Sequence, residues 1–164
     1  MTDDQSSSRR LHDILDRRDI ERLMHLYAHR IDAADFDGFA ELFAHGSLHL
    51  RGLSPPAEGR DAVRELVGRV VILHDGSPRT NHVMANILID VADDRRSATA
   101  RSYVQVLHGL AGNPIAPIAT AFYDDRYVRI DDQWWFESRV ATASLVGDMS
   151  THVRPGTRPA GGAA

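Results

Sequence analysis

The chain has 164 residues, a formal net charge of −4 and no cysteine. That length suits one domain around a single sizeable core, and the missing cysteine excludes disulfides, a thiol nucleophile and thiolate metal sites. The arginines are scattered along the chain, which leaves no basic footprint for nucleic acid.

The start, "MTDDQSSSRR", is polar and lacks the apolar stretch of a secretory signal, so residues 1–10 read as a mobile tail. No run approaches the roughly 20 apolar residues of a membrane span. The expectation is a cytoplasmic protein with no membrane partner. From Leu11 to about Ala34 the apolar positions follow a helical period, with Ile20, Leu23, Met24, Tyr27 and Ile31 on one broad face. A short second helix is predicted over Phe36–Phe43. "GSLHLRGL" reads as a short strand that stops at Pro55 and Pro56, which cannot continue a ladder. "GRDAVRELVGRVVIL" predicts a third helix with Ala62, Val63, Leu66, Val67 and Val70 turned inward. Four strand-like runs follow, about Arg79–Val91, Ala98–Leu107, Ile118–Ile130 and Gln133–Leu145. "ADDRRS" and "DDQ" are tight polar turns between them, as in hairpins. The end, "THVRPGTRPAGGAA", is rich in Pro, Gly and Ala and is expected to bury little. The domain is therefore drawn over 11–147, with a flexible tail over 148–164. Helices first and an antiparallel meander afterwards indicate an α+β domain. A strongly curved sheet would wrap the helices and leave a cavity between the two layers.

The strand "TNHVMANILI" raises the first chemical question. Strict alternation puts His82, Met84, Asn86 and Leu88 on one face and Val83, Ala85, Ile87 and Ile89 on the other. A face that mixes His and Asn with apolar residues suits the wall of a pocket, and a His at a strand end also suits a ring that reaches solvent. Asp32 lies in "HRIDAADFD" at a helix C-terminus, where a carboxylate opposes the macrodipole. It reads either as a solvated helix end or as a site residue, and nearby Asp35 and Asp37 are candidate caps for the next helix. Tyr27, five residues earlier, lies about 140° around the helix from Asp32. Both line one cavity only if its centre falls between them, and Met24 and Ile31 then share that wall. Otherwise Tyr27 is a core aromatic with its hydroxyl at the rim. His25 and His29 share a helical face with Glu21 nearby, but Leu26 stands where the zinc-protease pattern needs Glu. A solvated polar face is the expected role, with no metal. Phosphate-cradling loops, dinucleotide fingerprints and nucleophile elbows are missing from the sequence.

The order of elements and these residues together resemble the SnoaL-like proteins of the superfamily named after nuclear transport factor 2. Three stretches carry the resemblance: "IERLMHLYAHRIDAADFDGFAELFA", "TNHVMANILIDVADDRRSATARSYV" and "YDDRYVRIDDQWWFESRV". It covers about Asp13 to Val146 and implies a cone-shaped α+β barrel. Members resembling scytalone dehydratase, bile-acid 7α-dehydratase and hexachlorocyclohexane dehydrochlorinase use an Asp–His pair, and Asp32 and His82 fall on those positions. Tyr27 matches the tyrosine of the bile-acid enzyme. His108 falls near the second pocket His of scytalone dehydratase, and Tyr123 where that enzyme has a pocket Asn. Two departures are Ile31, where that enzyme has Tyr, and about Arg51, where it has a second pocket Tyr.

The resemblance implies a cofactor-independent lyase or isomerase. His82 would abstract a proton beside a carbonyl or enone, Asp32 would fix its tautomer, and Tyr27, with His108, would bond the developing oxyanion. Dehydration, isomerisation and cyclisation by a polyketide cyclase all start from that step. Apolar walls imply a hydrophobic cyclic substrate of polyketide, steroid or terpenoid type. The alternatives are a non-catalytic binding module or dioxygenase β-type subunit, and an epoxide hydrolase drawing on Arg30 or Arg101. Relatives bury the outer sheet face between copies, which implies a homo-oligomer, a dimer before a trimer.

Overall fold

The computed structural model describes residues 2–155, with side chains from Ser7 onward. The elements are α1 (Thr2–Asp32), α2 (Phe36–Glu41), β1 (Ser47–Leu50), β2 (Ala57–Glu58), α3 (Gly59–Val70), β3 (Thr80–Val91), β4 (Ser97–His108), β5 (Ala116–Ile130) and β6 (Gln133–Val146). The fold class is α+β, as the sequence pattern requires. The sheet is curved but does not close into a barrel: its order is β2-β1-β6-β5-β4-β3, which leaves β2 and β3 as edges. β3 to β6 form the expected antiparallel meander, whereas β1 runs parallel to β6. No hairpin joins that pair, so nothing in the connection forces them antiparallel.

Bulges bend the sheet. Register shifts fall between Ala85 and Leu88, Val106 and Leu107, Thr120 and Ala121, and Arg126 and Tyr127. Each extra residue adds local twist and curls the strands around the helices. The β5–β6 hairpin turns on Asp131 and Asp132, at φ 47° and 61°. Two successive positive φ values are what a tight hairpin turn demands, and Asp tolerates them better than most residues.

The concave face packs against Ile20, Met24 and Tyr27 of α1, Phe36 and Phe39 of α2, and Val63, Leu66, Val67 and Val70 of α3. α1 is pinned to the hairpin ends by Asp16. Its buried carboxylate accepts from Arg95 Nε at 2.6 Å, Trp134 Nε1 at 3.1 Å and Arg129 Nη1 at 3.2 Å. Burial alone would raise this carboxyl, but the bonds and the two guanidinium charges outweigh it and hold it below its ordinary value. The pin sets the rotation of α1, and with it the direction of Tyr27, Ile31 and Asp32. The chain turns out of the helix at Ala34, whose φ is 58°, and Asp35 then caps α2 by accepting the Gly38 amide at 2.9 Å.

Both ends of the chain correct the sequence reading. α1 begins at Thr2 rather than near Leu11, so the polar start is helix and not a loose tail. A helix nucleated on packed residues propagates through a polar run at little cost. Leu11, Ile14 and Leu15 on it are exposed. At the other end, residues after Gly147 fold back onto the domain. Ile72 donates to the His152 carbonyl at 2.9 Å, Arg154 donates to that of Val70 at 3.0 Å, and Val71 bridges Val153. Val153 is 1% exposed and His152 7%. The Pro- and Gly-rich composition hid a short sequence, "MSTHV", whose Met149 and Val153 are both apolar. Residues 156–164 of the expected tail lie outside the described residues. Among the described residues no helix is long and apolar enough to cross a membrane.

Candidate active site

Asp32 ends α1 and His82 is the third residue of β3, so the site forms where the helix meets the edge strand. His82 Nδ1 lies 2.6 Å from Asp32 Oδ1. The same oxygen accepts from the Thr80 hydroxyl at 2.8 Å, and Oδ2 accepts from the His82 backbone N–H at 2.8 Å. Three donors thus answer the unfavourable macrodipole at this helix end. Burial pushes the Asp32 carboxyl up, but the bonds and charge from His82 and the Thr80 bond prevail and hold it below its ordinary value. An ionised carboxylate accepts only, so Nδ1 carries a proton and Nε2 is left as the basic nitrogen.

His82 opens onto an apolar cavity of about 130 Å³. Tyr27 and Ile31 of α1, Phe39 of α2, Val67 and Val70 of α3, and Val104, Val106 and Tyr123 of the sheet line it. Tyr27 and Tyr123 bring hydroxyls to a wall that is otherwise hydrocarbon. Their ring centroids are 5.6 Å apart, and Tyr27 stands edge-on to His82 at 6.5 Å. Burial raises both phenols, Tyr123 well above the usual tyrosine value, so both stay neutral donors.

Behind the two tyrosines sits Arg139, fully buried with its guanidinium carbon 4.2 Å from each ring centroid. It donates to Asp125 through Nε at 2.8 Å and Nη2 at 2.7 Å, and Tyr127 donates its hydroxyl to the same carboxylate at 2.9 Å. This ion pair sits against both tyrosine rings without itself lining the cavity. Sequence reading missed it, because Asp125 and Arg139 look like ordinary surface charges until the β5–β6 register sets them opposite each other.

Four expected pocket residues are not on the cavity wall. Asn86 is exposed: it occupies the β3 bulge at φ 52°, a conformation Asn tolerates well. Strict alternation fails there, so Ile87 and Ile89 turn inward, whereas Val83 and Leu88 face solvent at 47% and 68% exposure. Met24 is wholly buried in the core behind the tyrosine, and Met84 packs on the core without reaching the cavity. His108 is buried at the end of β4 but lies one repeat past Val106, the last residue of that strand on the wall. His25 and His29 face solvent, and among the described residues no three His, Cys, Asp or Glu side chains are grouped to hold a metal. Arg30 bonds the Gly38 carbonyl, and Arg101 pairs with Asp124 at 2.9 Å on the outside, so neither lines the cavity.

The C-terminal strap supplies what the sequence reading lacked: Met149, His152 and Val153 line the cavity, with Arg51 at its rim. Burial, with the nearby His82 and His108, lowers the His152 imidazole to about 4. In an unfolded chain it titrates near 6.5. The unfolded state therefore binds the extra proton first, and stability present above about 6.5 is lost as pH falls towards 4. The expected loss is about 3 kcal/mol for this group. Urea melts at pH 7 and pH 4.5 should show it, and His152→Phe should flatten the difference. An equal slope in both proteins would contradict it.

The architecture matches solved structures. An NTF2-like protein with a cystatin-like fold from Novosphingobium aromaticivorans superposes with a TM-score of 0.71 at 20% identity, covering 85% of this chain and 88% of that one. A provisionally assigned scytalone dehydratase from the same organism gives 0.68 at 27% identity, covering 93% and 97%. Rv3472 of Mycobacterium tuberculosis, a protein of unknown function, gives 0.68 at 25% identity, covering 82% and 75%. Among curated proteins none matches the chain significantly. The fold is thus NTF2-like. Residues 12–140 match the SnoaL-like domain, and the chain belongs to that family, which includes dehydratases and polyketide cyclases.

Proposed function

We propose that the protein is a cofactor-independent lyase or isomerase that removes a proton beside a carbonyl in a small hydrophobic cyclic molecule. The observation that carries this is the 2.6 Å bond between His82 Nδ1 and Asp32 at the wall of an apolar cavity. It leaves His82 Nε2 as a general base of fixed tautomer. The chain has neither cysteine nor lysine, so thiol and Schiff-base nucleophiles are absent. In the proposed step His82 Nε2 takes the α-proton, the C–H electrons form a C=C bond, and the carbonyl oxygen becomes an oxyanion. The Tyr27 hydroxyl, backed by Tyr123, donates to that oxygen. Collapse with loss of a β-hydroxyl, protonated by His82, yields water and an enone. Return of the proton to another carbon yields an isomer.

An apolar cavity of roughly 150 Å³ takes a benzene, so 130 Å³ fits about one ring, with any remainder at the Arg51 rim. Two probes test the reading: 2-tetralone in D2O for deuterium uptake at the α-carbon, and 3-hydroxycyclohexanone for enone absorbance. Turnover by the parent well above that of His82→Ala is expected. Equal rates would leave a binding module as the better reading.

We further propose a second copy of the chain as the cover for the outer sheet face. Val83, Tyr103 and Phe122 there are 42–50% exposed, and a self-complementary contact needs only one such patch. Light scattering should give a dimer; a monomer at micromolar concentration would refute it.

A further inference from the structure

Beside the cavity, three histidines from three segments stand in a row. His152, on the strap, lines the cavity. Its ring centroid is 6.0 Å from that of His108 at the end of β4, which in turn is 5.8 Å from that of His74. His152 and His108 are each 7% exposed, whereas His74 is reached by solvent. The two inner rings share a peculiarity: His152 Nδ1 and His108 Nε2 are buried and have no hydrogen-bond partner. A buried ring nitrogen left without a partner is destabilising. Two on neighbouring rings are explained together by one water between them, and rings about 6 Å apart leave room for it. His74 Nε2 donates to the Thr151 carbonyl at 2.7 Å, which ties the outer ring to the residue before His152.

We propose that His152, His108 and His74 form a relay that carries protons between the cavity and solvent. Its use rests on the reading of His82 as a base: it discharges or reloads His82 through water in the emptied cavity. A proton arriving at His152 Nε2 forms an N–H bond there as the Nδ1–H bond breaks toward the bridging water. That water passes a proton to His108 Nε2, and His108 Nδ1 releases one toward His74 and bulk water. His74 takes that proton at Nδ1 and hands it to bulk water from the same nitrogen, its Nε2–H staying on the Thr151 carbonyl. One proton moves outward, His152 and His108 each end neutral in the other tautomer, His74 ends as it began, and no electrons are transferred. Burial, then the charges of His82 and His108, keep His152 neutral at rest, with Asp32 acting the other way. Burial and His74 do the same for His108. Neutral rings conduct a proton without storing it.

The test is the solvent exchange of the His152 ring N–H, read by NMR on the full chain labelled with ¹⁵N-histidine. His108→Phe removes the middle ring, and His74→Phe cuts the outer end without touching the core. Exchange should slow by roughly tenfold or more in both, as for loss of one bridging hydrogen bond. The melting temperature of His74→Phe should fall by no more than the few degrees that loss of its bond to the Thr151 carbonyl brings. His82→Ala should leave the exchange unchanged, so a failure of His82 as a base would not be mistaken for a failure of the relay. Unchanged exchange in either phenylalanine variant overturns the proposal.

Discussion

Asp32→Asn is expected to lower turnover by roughly 10³- to 10⁴-fold, the scale seen when an analogous Asp–His pair loses its charge, while the protein still folds. The hydrogen bonds explain why. The carboxylate accepts from Thr80, His82 Nδ1 and the His82 backbone amide. An Asn amide cannot accept on both sides. If its oxygen stays on His82 Nδ1, its NH2 faces the His82 N–H, donor against donor. If it flips, the oxygen takes the backbone N–H, and the NH2 donates to Thr80 Oγ1 and to His82 Nδ1. The flipped state satisfies every group, because a hydroxyl can turn to accept. It also forces the His82 proton onto Nε2, the nitrogen that must be free to act as base. The stability cost should be about 1–3 kcal/mol, far less than the kinetic one. Ring ¹⁵N shifts would report the tautomer directly. A folded variant with the parent tautomer and more than a tenth of the parent rate on the tetralone probe would contradict the proposed role.

Asp125→Ala should be the most damaging single change to stability. It leaves the Arg139 guanidinium, 0% exposed, without its counter-ion. Breaking one side of a buried pair costs about 3–5 kcal/mol. For a domain of this size that corresponds to a fall of roughly 6–20 °C in Tm. The double variant Asp125→Leu with Arg139→Met should recover most of it, because the pair repays its own desolvation poorly. It should not recover function, since the cation at 4.2 Å from the Tyr27 and Tyr123 rings is gone. Calorimetry on the three proteins checks the first part, and the tetralone exchange rate the second. A single variant within 1 kcal/mol of the parent would show that water reaches Arg139.

Hydrophobic periodicity was enough for the helices and the four-strand meander, because one buried face leaves a regular trace in each element. Asp32 and His82 were individually ambiguous: periodicity says which way a side chain points, and nothing about what meets it from an element fifty residues away. The resemblance supplied the partner. Asn86 was misplaced because a bulge inserts a residue without changing the local composition, and strict alternation then inverts. Asp125 and Arg139 were invisible because their burial depends on β5–β6 register. His152 was overlooked because its surroundings look like tail. The one available signal was Met149 and Val153 flanking it, two apolar residues too few to mark an element.

The strap also divides the site into a part inside the family match and a part beyond it. The SnoaL-like match ends at residue 140, seven residues before the strap begins at Gly147. The matched span holds Tyr27, Asp32, His82 and Tyr123, while the wall that carries His152 lies beyond it. The strap is held by the two backbone bonds that make its bridge to Val71 and by His74 Nε2 on the Thr151 carbonyl, and none of these involves Asp32 or His82. Substitutions on the strap can therefore reshape the cavity wall while the Asp32–His82 bond stays in place.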